Sequence, residues 1–189
     1  MFRFRFFAAL LGGLALAACS KDNASPDGTP RCSRYVAGDV AIGPQAATEA
    51  AQVFQLANSQ GFSISKMHGF TYVSGLPADS LAYVKRVLLN KPYLNAQGFT
   101  GGNASVYAGD RKIHVVDSQF DMTPANQADW LQTLQTLQLT DEAGARCQSC
   151  KSVMLKVPTG SEQHWVTELA KNPLLRWAEL NCYSQIVLH

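Results

Sequence analysis

LPADSLAYVKRVLLNKPYL (residues 76–94) and VPTGSEQHWVTELAKNPLL (residues 157–175) lie over one another with a single shift of 81 positions. The alignment matches Pro77 with Pro158, Ser80 with Ser161, Leu88 with Leu169, Pro92 with Pro173 and Leu94 with Leu175. In each copy a short polar start precedes a helical spacing of apolar residues, and a proline that cannot continue a helix follows it. Thr159 and Glu162 have capping-box spacing. Each copy also follows an apolar, strand-like run. Strand, helix, strand, helix, strand is therefore expected twice, over 33–101 and 104–185.

The rest of the pattern fits this reading. RYVAGDVAI predicts a strand, and Ala46, Ala50, Val53, Phe54 and Ala57 share one face of a helix over 44–59 that Gly61 stops. GFTYVSG predicts a short strand. Leu81, Val84, Val87 and Leu88 face inward on a helix over 78–90, and a three-stranded meander over 93–100, 105–108 and 112–116 follows. Thr123 caps a helix with Pro124 at its first position and Trp130, Leu131, Leu134 and Leu137 on one face. SVMLKVP and RWAELNCYSQIVL predict the last strands. Helices with one apolar stripe must cover one face of a sheet. The expected fold is an α+β two-layer sandwich, with a mostly antiparallel sheet, helices on one face, and a ferredoxin-like plan with an internal pseudo-repeat. Trp130, Trp165, Phe54 and Tyr83 lie on the stripes and are expected in the core.

Ahead of this domain lies MFRFR, with Arg3 and Arg5, and an apolar run from Phe6 to Ala18 too short to span a bilayer as a helix of about 20 residues. The run ends in Leu16, Ala17, Ala18 and Cys19. These four residues resemble the lipobox of bacterial lipoproteins. The resemblance implies a signal peptide over 1–18, cleavage before Cys19, acylation of that cysteine, and a membrane anchor that needs no transmembrane helix. Ser20 in the next position implies sorting to the outer membrane, with the domain facing the periplasm. Residues 20–31 are polar, contain Pro26, Gly28 and Pro30, and read as a flexible tether. Residues 32–189 are enough to bury one core.

The chain carries 16 basic and 14 acidic residues. Without Arg3 and Arg5 the balance is 14 against 14, and a neutral domain with scattered charges argues against nucleic acid, which requires a basic face, though it leaves room for local patches. Cys32, Cys147, Cys150 and Cys182 remain, an even number that implies two structural disulfides in an oxidising compartment. Three connectivities are open. The strand placement favours Cys150 with Cys182 and Cys32 with Cys147. The CQSC at 147–150 also permits a redox protein, but it precedes a strand, whereas a low-pKa thiol pair opens a helix. His68, His114, His164 and His189 show no paired metal spacing, so neither a metal nor another cofactor is expected.

No nucleophile motif or phosphate-binding glycine loop occurs. Asp117 and Asp121, placed by this reading at a helix start, would there stabilise the helix dipole. His114 reads as a surface or hydrogen-bonded core histidine. An enzyme is therefore not expected, and no catalytic residue is assigned. Residues 40–73 resemble, locally, SPOR domains, which implies peptidoglycan as a partner. Residues 153–181 resemble the strand, helix and strand of subtilisin propeptides and related I9 inhibitors. That resemblance implies a role as inhibitor or immunity protein, with the segment after the last strand entering a partner. Tyr183, Ile186, Val187 and Leu188 are the partner-binding candidates there. The function expected is a non-catalytic, membrane-anchored module that binds an envelope or exported protein.

Overall fold

The computed structural model describes residues 34–94, 103–142 and 150–183, all within the unit Cys32–His189. Among the described residues seven strands form one sheet in which every pairing is antiparallel. They are β1 (Tyr35–Pro44), β2 (Ser63–Ser74), β3 (Asn103–Val106), β4 (Ile113–Met122), β5 (Leu139–Asp141), β6 (Ser152–Lys156) and β7 (Leu175–Cys182). The helices among the described residues are α1 (Ala50–Ser59), α2 (Leu81–Leu89), α3 (Pro124–Thr136) and α4 (Glu162–Leu169). The strands lie in the order β3-β4-β2-β6-β1-β7, and β5 pairs with β2 beyond the end of β6.

This order contains the ferredoxin-like plan twice. In β1-α1-β2 and β6-α4-β7 each helix carries the chain over an intervening strand, giving the spatial order β7-β1-β6-β2. In β2-α2-β3 and β4-α3-β5 the same happens, giving β5-β2-β4-β3. The two units share β2. The second unit is inserted between β2 and β6 of the first. The same order also alternates the strands of the first half of the domain, β1, β2 and β3, with those of the second, β4, β5/β6 and β7, so that it is compatible with the expected halves, 33–101 and 104–185.

The hinge between the units is a bulge in β2. Met67 pairs with Gln119 and Phe70 with Asp117, leaving His68 and Gly69 as the irregularity, with Gly69 at φ +78°. Before it β2 pairs with β6, after it with β5. A side chain at 69 would meet the Cys150 carbonyl oxygen at 2.1 Å, so glycine is needed for both conformation and space.

All four helices contribute to one apolar core with the inward side of the sheet, including Val53 and Phe54 of α1, Val84 and Leu88 of α2, Trp130 of α3 and Leu169 of α4. Trp130 is fully buried and meets Tyr72 and Tyr93 edge-on. Trp165 packs edge-on against Phe62. Tyr83 is a correction: it is 39 % exposed, with the Arg86 guanidinium over its ring. Among the described residues no helix is long and apolar enough to cross a membrane.

Several boundaries differ from expectation for local reasons. Helix α1 starts at Ala50 rather than Pro44, because Pro44 completes β1 and a reciprocal capping box between Glu49 and Gln52 starts the helix later. Tyr93 and Leu94, where the first meander strand is expected to begin, belong to a 3-10 turn, Pro92–Leu94; the rest of that strand, 95–100, lies outside the described residues. Tyr93 is drawn inward there. Its hydroxyl donates to Asp129 at 2.6 Å, and burial followed by that carboxylate pushes the phenol well above its usual range. Thr123 does cap α3, accepting from the Asn126 amide.

Glu162 does not close a box with Thr159. It turns inward, is 2 % exposed, and its carboxylate accepts from the Gly38 amide at 2.6 Å and the Gly160 amide at 2.9 Å, tying α4 to β1. The Gly38 bond is the main reason its carboxyl is held below the ordinary range. A depressed folded-state pKa means stability that is present above the unfolded value and lost as pH falls through the folded one. Glu162→Gln is expected to lower stability at pH 7 by roughly 2 kcal/mol. Urea unfolding at pH 7 and at pH 3 checks this: the gap between variant and wild type should narrow in acid, and a gap that is equal at both pH values would refute it.

Candidate binding face

Among the described residues the helices leave the other side of the sheet open, and its central feature begins at a glycine. Gly43 on β1 pairs directly with Trp177 on β7. A Cβ at 43 would lie 2.2 Å from indole atoms, so the ring occupies the space that any side chain at 43 would take. The indole thereby packs against the sheet, and the half-buried Trp177 helps to line a groove of about 470 Å³. Ala41 and Met154 share its apolar floor, while Lys66, His68 and Glu179 stand exposed around it.

The rim is ordered by polar contacts. His68 Nδ1 lies 2.7 Å from the Ser118 hydroxyl, and the Lys66 ammonium sits over the Phe120 ring at 5.6 Å. Asp39 is 5 % exposed, pairs with the Lys156 ammonium, and accepts from the Asn181 amide at 2.9 Å. Such a surface can seat an apolar or aromatic group and orient it by hydrogen bonds.

Comparisons with family models, curated proteins and solved structures return no match. The assignment of a site therefore rests on the geometry of this chain alone.

That geometry separates most of the residues singled out from sequence. His68 is in the groove, His164 is on α4 across the sheet, and His189 lies outside the described residues. His114 is 3 % exposed on β4 between two carboxylates, with Nε2 2.8 Å from Asp110 and Nδ1 3.2 Å from Glu142. Both ring positions through which an imidazole would exchange a proton with a substrate are thus occupied. The Lys112 amide, then His114, holds the Asp110 carboxyl below its usual range.

Asp117 and Asp121 are not at a helix start, as expected, but on β4, which runs six residues further than its apolar pattern suggests. Asp117 is opposite Phe70 in the register. Asp121 is in the left-handed region, at φ +46°, where the strand bends toward α3. Among the described residues no group of three His, Cys, Asp or Glu side chains could hold a metal ion.

Cys150 and Cys182 are both disulfide-bonded. They are not bonded to each other, which corrects the favoured pairing. Val153 and Ala178 are both opposite Ile42, and Leu155 and Leu180 are both opposite Val40. Cys182 is therefore level with Val157, and Cys150 lies seven residues, roughly 23 Å, back along the strands. A disulfide needs Cα atoms within about 7 Å. Cys19, Cys32 and Cys147 lie outside the described residues.

Tyr183 is 57 % exposed, with its amide donating to the Arg34 carbonyl and the Arg34 guanidinium 6.0 Å from its ring. Ile186, Val187 and Leu188 lie outside the described residues. Sequence reasoning missed the groove, because its parts are spread over β1, β2, β6 and β7. The local signal was a small residue, Gly43, placed to pair across the sheet with a large aromatic one.

Proposed function

We propose that this chain is a lipid-anchored envelope protein, acylated at Cys19 and tethered by residues 20–31, whose α+β domain is a non-catalytic module that binds a protein on its open sheet face. The observation that carries the reading is the groove opposite the helices, where Trp177 packs over Gly43 and exposed charges, Lys66 and Glu179, stand beside an apolar floor. Buried aromatic anchors with a polar rim are the usual source of protein affinity. An inhibitor or immunity role against an exported hydrolase fits this class, as does a structural envelope role, and the residue after Cys19 favours the outer membrane.

One feature favours a second reading. An indole ringed by hydrogen-bonding side chains also suits a sugar ring, so peptidoglycan is the alternative partner.

Photo-crosslinking in intact cells tests both. A benzophenone amino acid at Met154, in the groove, is expected to form an adduct with a protein, and one at Gln163, on the exposed side of α4, is not. In the same cells Cys19→Ala should move the protein from the membrane to the soluble fraction. Retention by purified sacculi that Trp177→Ala abolishes, with no protein adduct at Met154, would replace the protein reading by the glycan one. An unchanged membrane fraction for Cys19→Ala would overturn the anchor.

A further inference from the structure

On the helix side of the sheet, between the start of α1, α3 and β5, lies a second cavity of about 310 Å³. Ala50, Leu131, Leu134 and Leu139 wall it with apolar surface, and Tyr72 and Asp141 complete the lining. Asp141 is the unusual member. Its side chain is 9 % exposed, and its Oδ2 accepts from the Lys151 ammonium at 2.7 Å. The other two Lys151 hydrogens go to the carbonyls of Ala46 and Thr48, at 2.8 and 2.9 Å. The lysine therefore has nothing left for Oδ1, which is buried without a hydrogen-bond partner among the described residues.

A buried carboxylate oxygen without a donor is costly, and native structures rarely leave one without a reason. The charge around it is also unbalanced. Glu49, at the start of α1, lines the same cavity. Burial first, and the Glu49 charge last among the causes, push the Asp141 carboxyl up, against the pull of Lys151. Two acidic groups thus face one cation whose hydrogens are all committed. What this arrangement lacks is a second donor, preferably charged, reached along an apolar passage.

We propose that this cavity is a socket for a primary ammonium group on an apolar stem, with the ammonium donating to Asp141 Oδ1 and the stem lying among Leu131, Leu134 and Leu139. The volume is at the small end of ligand pockets and takes a stem about as long as a lysine side chain. The source of that ammonium is either a free alkylamine or a lysine of a peptide. The socket is across the sheet from the Trp177 groove and does not depend on what the groove binds.

Isothermal titration of the full chain in detergent, with its disulfides intact, tests the proposal with three probes: n-pentylamine, N-acetyl-lysine N-methylamide and 1-pentanol. At least one amine is expected to bind saturably, and about tenfold or more tighter than the alcohol of the same length. Tighter binding of the lysine derivative assigns the socket to peptides, and tighter binding of pentylamine to free amines. Asp141→Asn should weaken amine binding by about tenfold or more. Because that change also touches Lys151, Leu134→Trp provides a second variant that fills the cavity without touching the ion pair, and it should abolish binding. The proposal fails if neither amine binds, if pentanol binds as well as the amines, or if amine binding survives Leu134→Trp in a folded protein.

Discussion

Replacing Lys151 by methionine is expected to destabilise the domain by roughly 3–5 kcal/mol, the usual cost of leaving one partner of a buried ion pair behind. Lys151 is 4 % exposed, and its ammonium also lies 5.0 Å from the centre of the Phe70 ring. Losing it deprives Asp141 of its partner and the carbonyls of Ala46 and Thr48 of their donor, so the turn between β1 and α1 loses its attachment to β6. Thermal and urea unfolding measure the effect, with a fall in melting temperature of about 10 °C for a domain of this size. The double change Lys151→Met with Asp141→Leu should recover part of the loss, because the orphaned carboxylate disappears while the two carbonyls stay unpaired. A single-variant loss under about 1 kcal/mol would show that the pair contributes no more than a surface one does.

The second large effect is at Gly69. Gly69→Ala imposes a side chain at φ +78° and drives its Cβ to 2.1 Å from the Cys150 carbonyl oxygen and 2.5 Å from the carbonyl carbon. Neither atom belongs to a flexible side chain that could swing away. The start of β6 must move, and the Lys151 backbone nitrogen, 3.0 Å from the same Cβ, moves with it. A loss of roughly 4 kcal/mol or more is expected, combining left-handed strain with overpacking. Circular dichroism melts of the purified variant are the check. Gly61→Ala is the control: its φ is +70° but no atom lies within 4 Å of the added Cβ, so it pays for conformation alone. Equal losses at the two positions would refute the clash. The Gly69 and Lys151 effects should not add, since both act through the start of β6.

The sequence carries the layer architecture and the helices plainly, because each helix exposes one face and its apolar residues repeat at helical spacing. Val53, Phe54, Val84, Leu88 and Trp130 point inward as that spacing requires. What resists reading is the strand that changes partners. The first half of β2, SISKMH, alternates buried Ile64 and Met67 with exposed Lys66 and His68 around an irregular register, which blurs a period of two. The far half of β4 hides its strand character in the same way, because buried Ser118 and Gln119 are polar. The short β5 has only three residues and no pattern of its own. As a result the insertion of one ferredoxin-like unit between β2 and β6 of the other is hidden in the sequence. The groove and the ammonium socket were illegible for a related reason: each assembles from segments that neighbour one another only once the sheet has formed.

The nesting also sets an order of assembly. The inner unit, β2 to β5, closes through contacts within one continuous stretch of chain. The outer unit closes through contacts such as Gly38 with Glu162 and Asp39 with Asn181, which are 124 and 142 residues apart. Long closures are slow, and they come after local ones. Both neighbours of β1, strands β6 and β7, come from the end of the chain. Until that end arrives, β1 holds Val40 and Ile42 with no strand on either side, a state that invites pairing with other chains. A chain cut short before β6 would therefore complete an inner unit and still display an open, apolar first strand, so that truncation at one end of the sequence is marked on the strand from the other end.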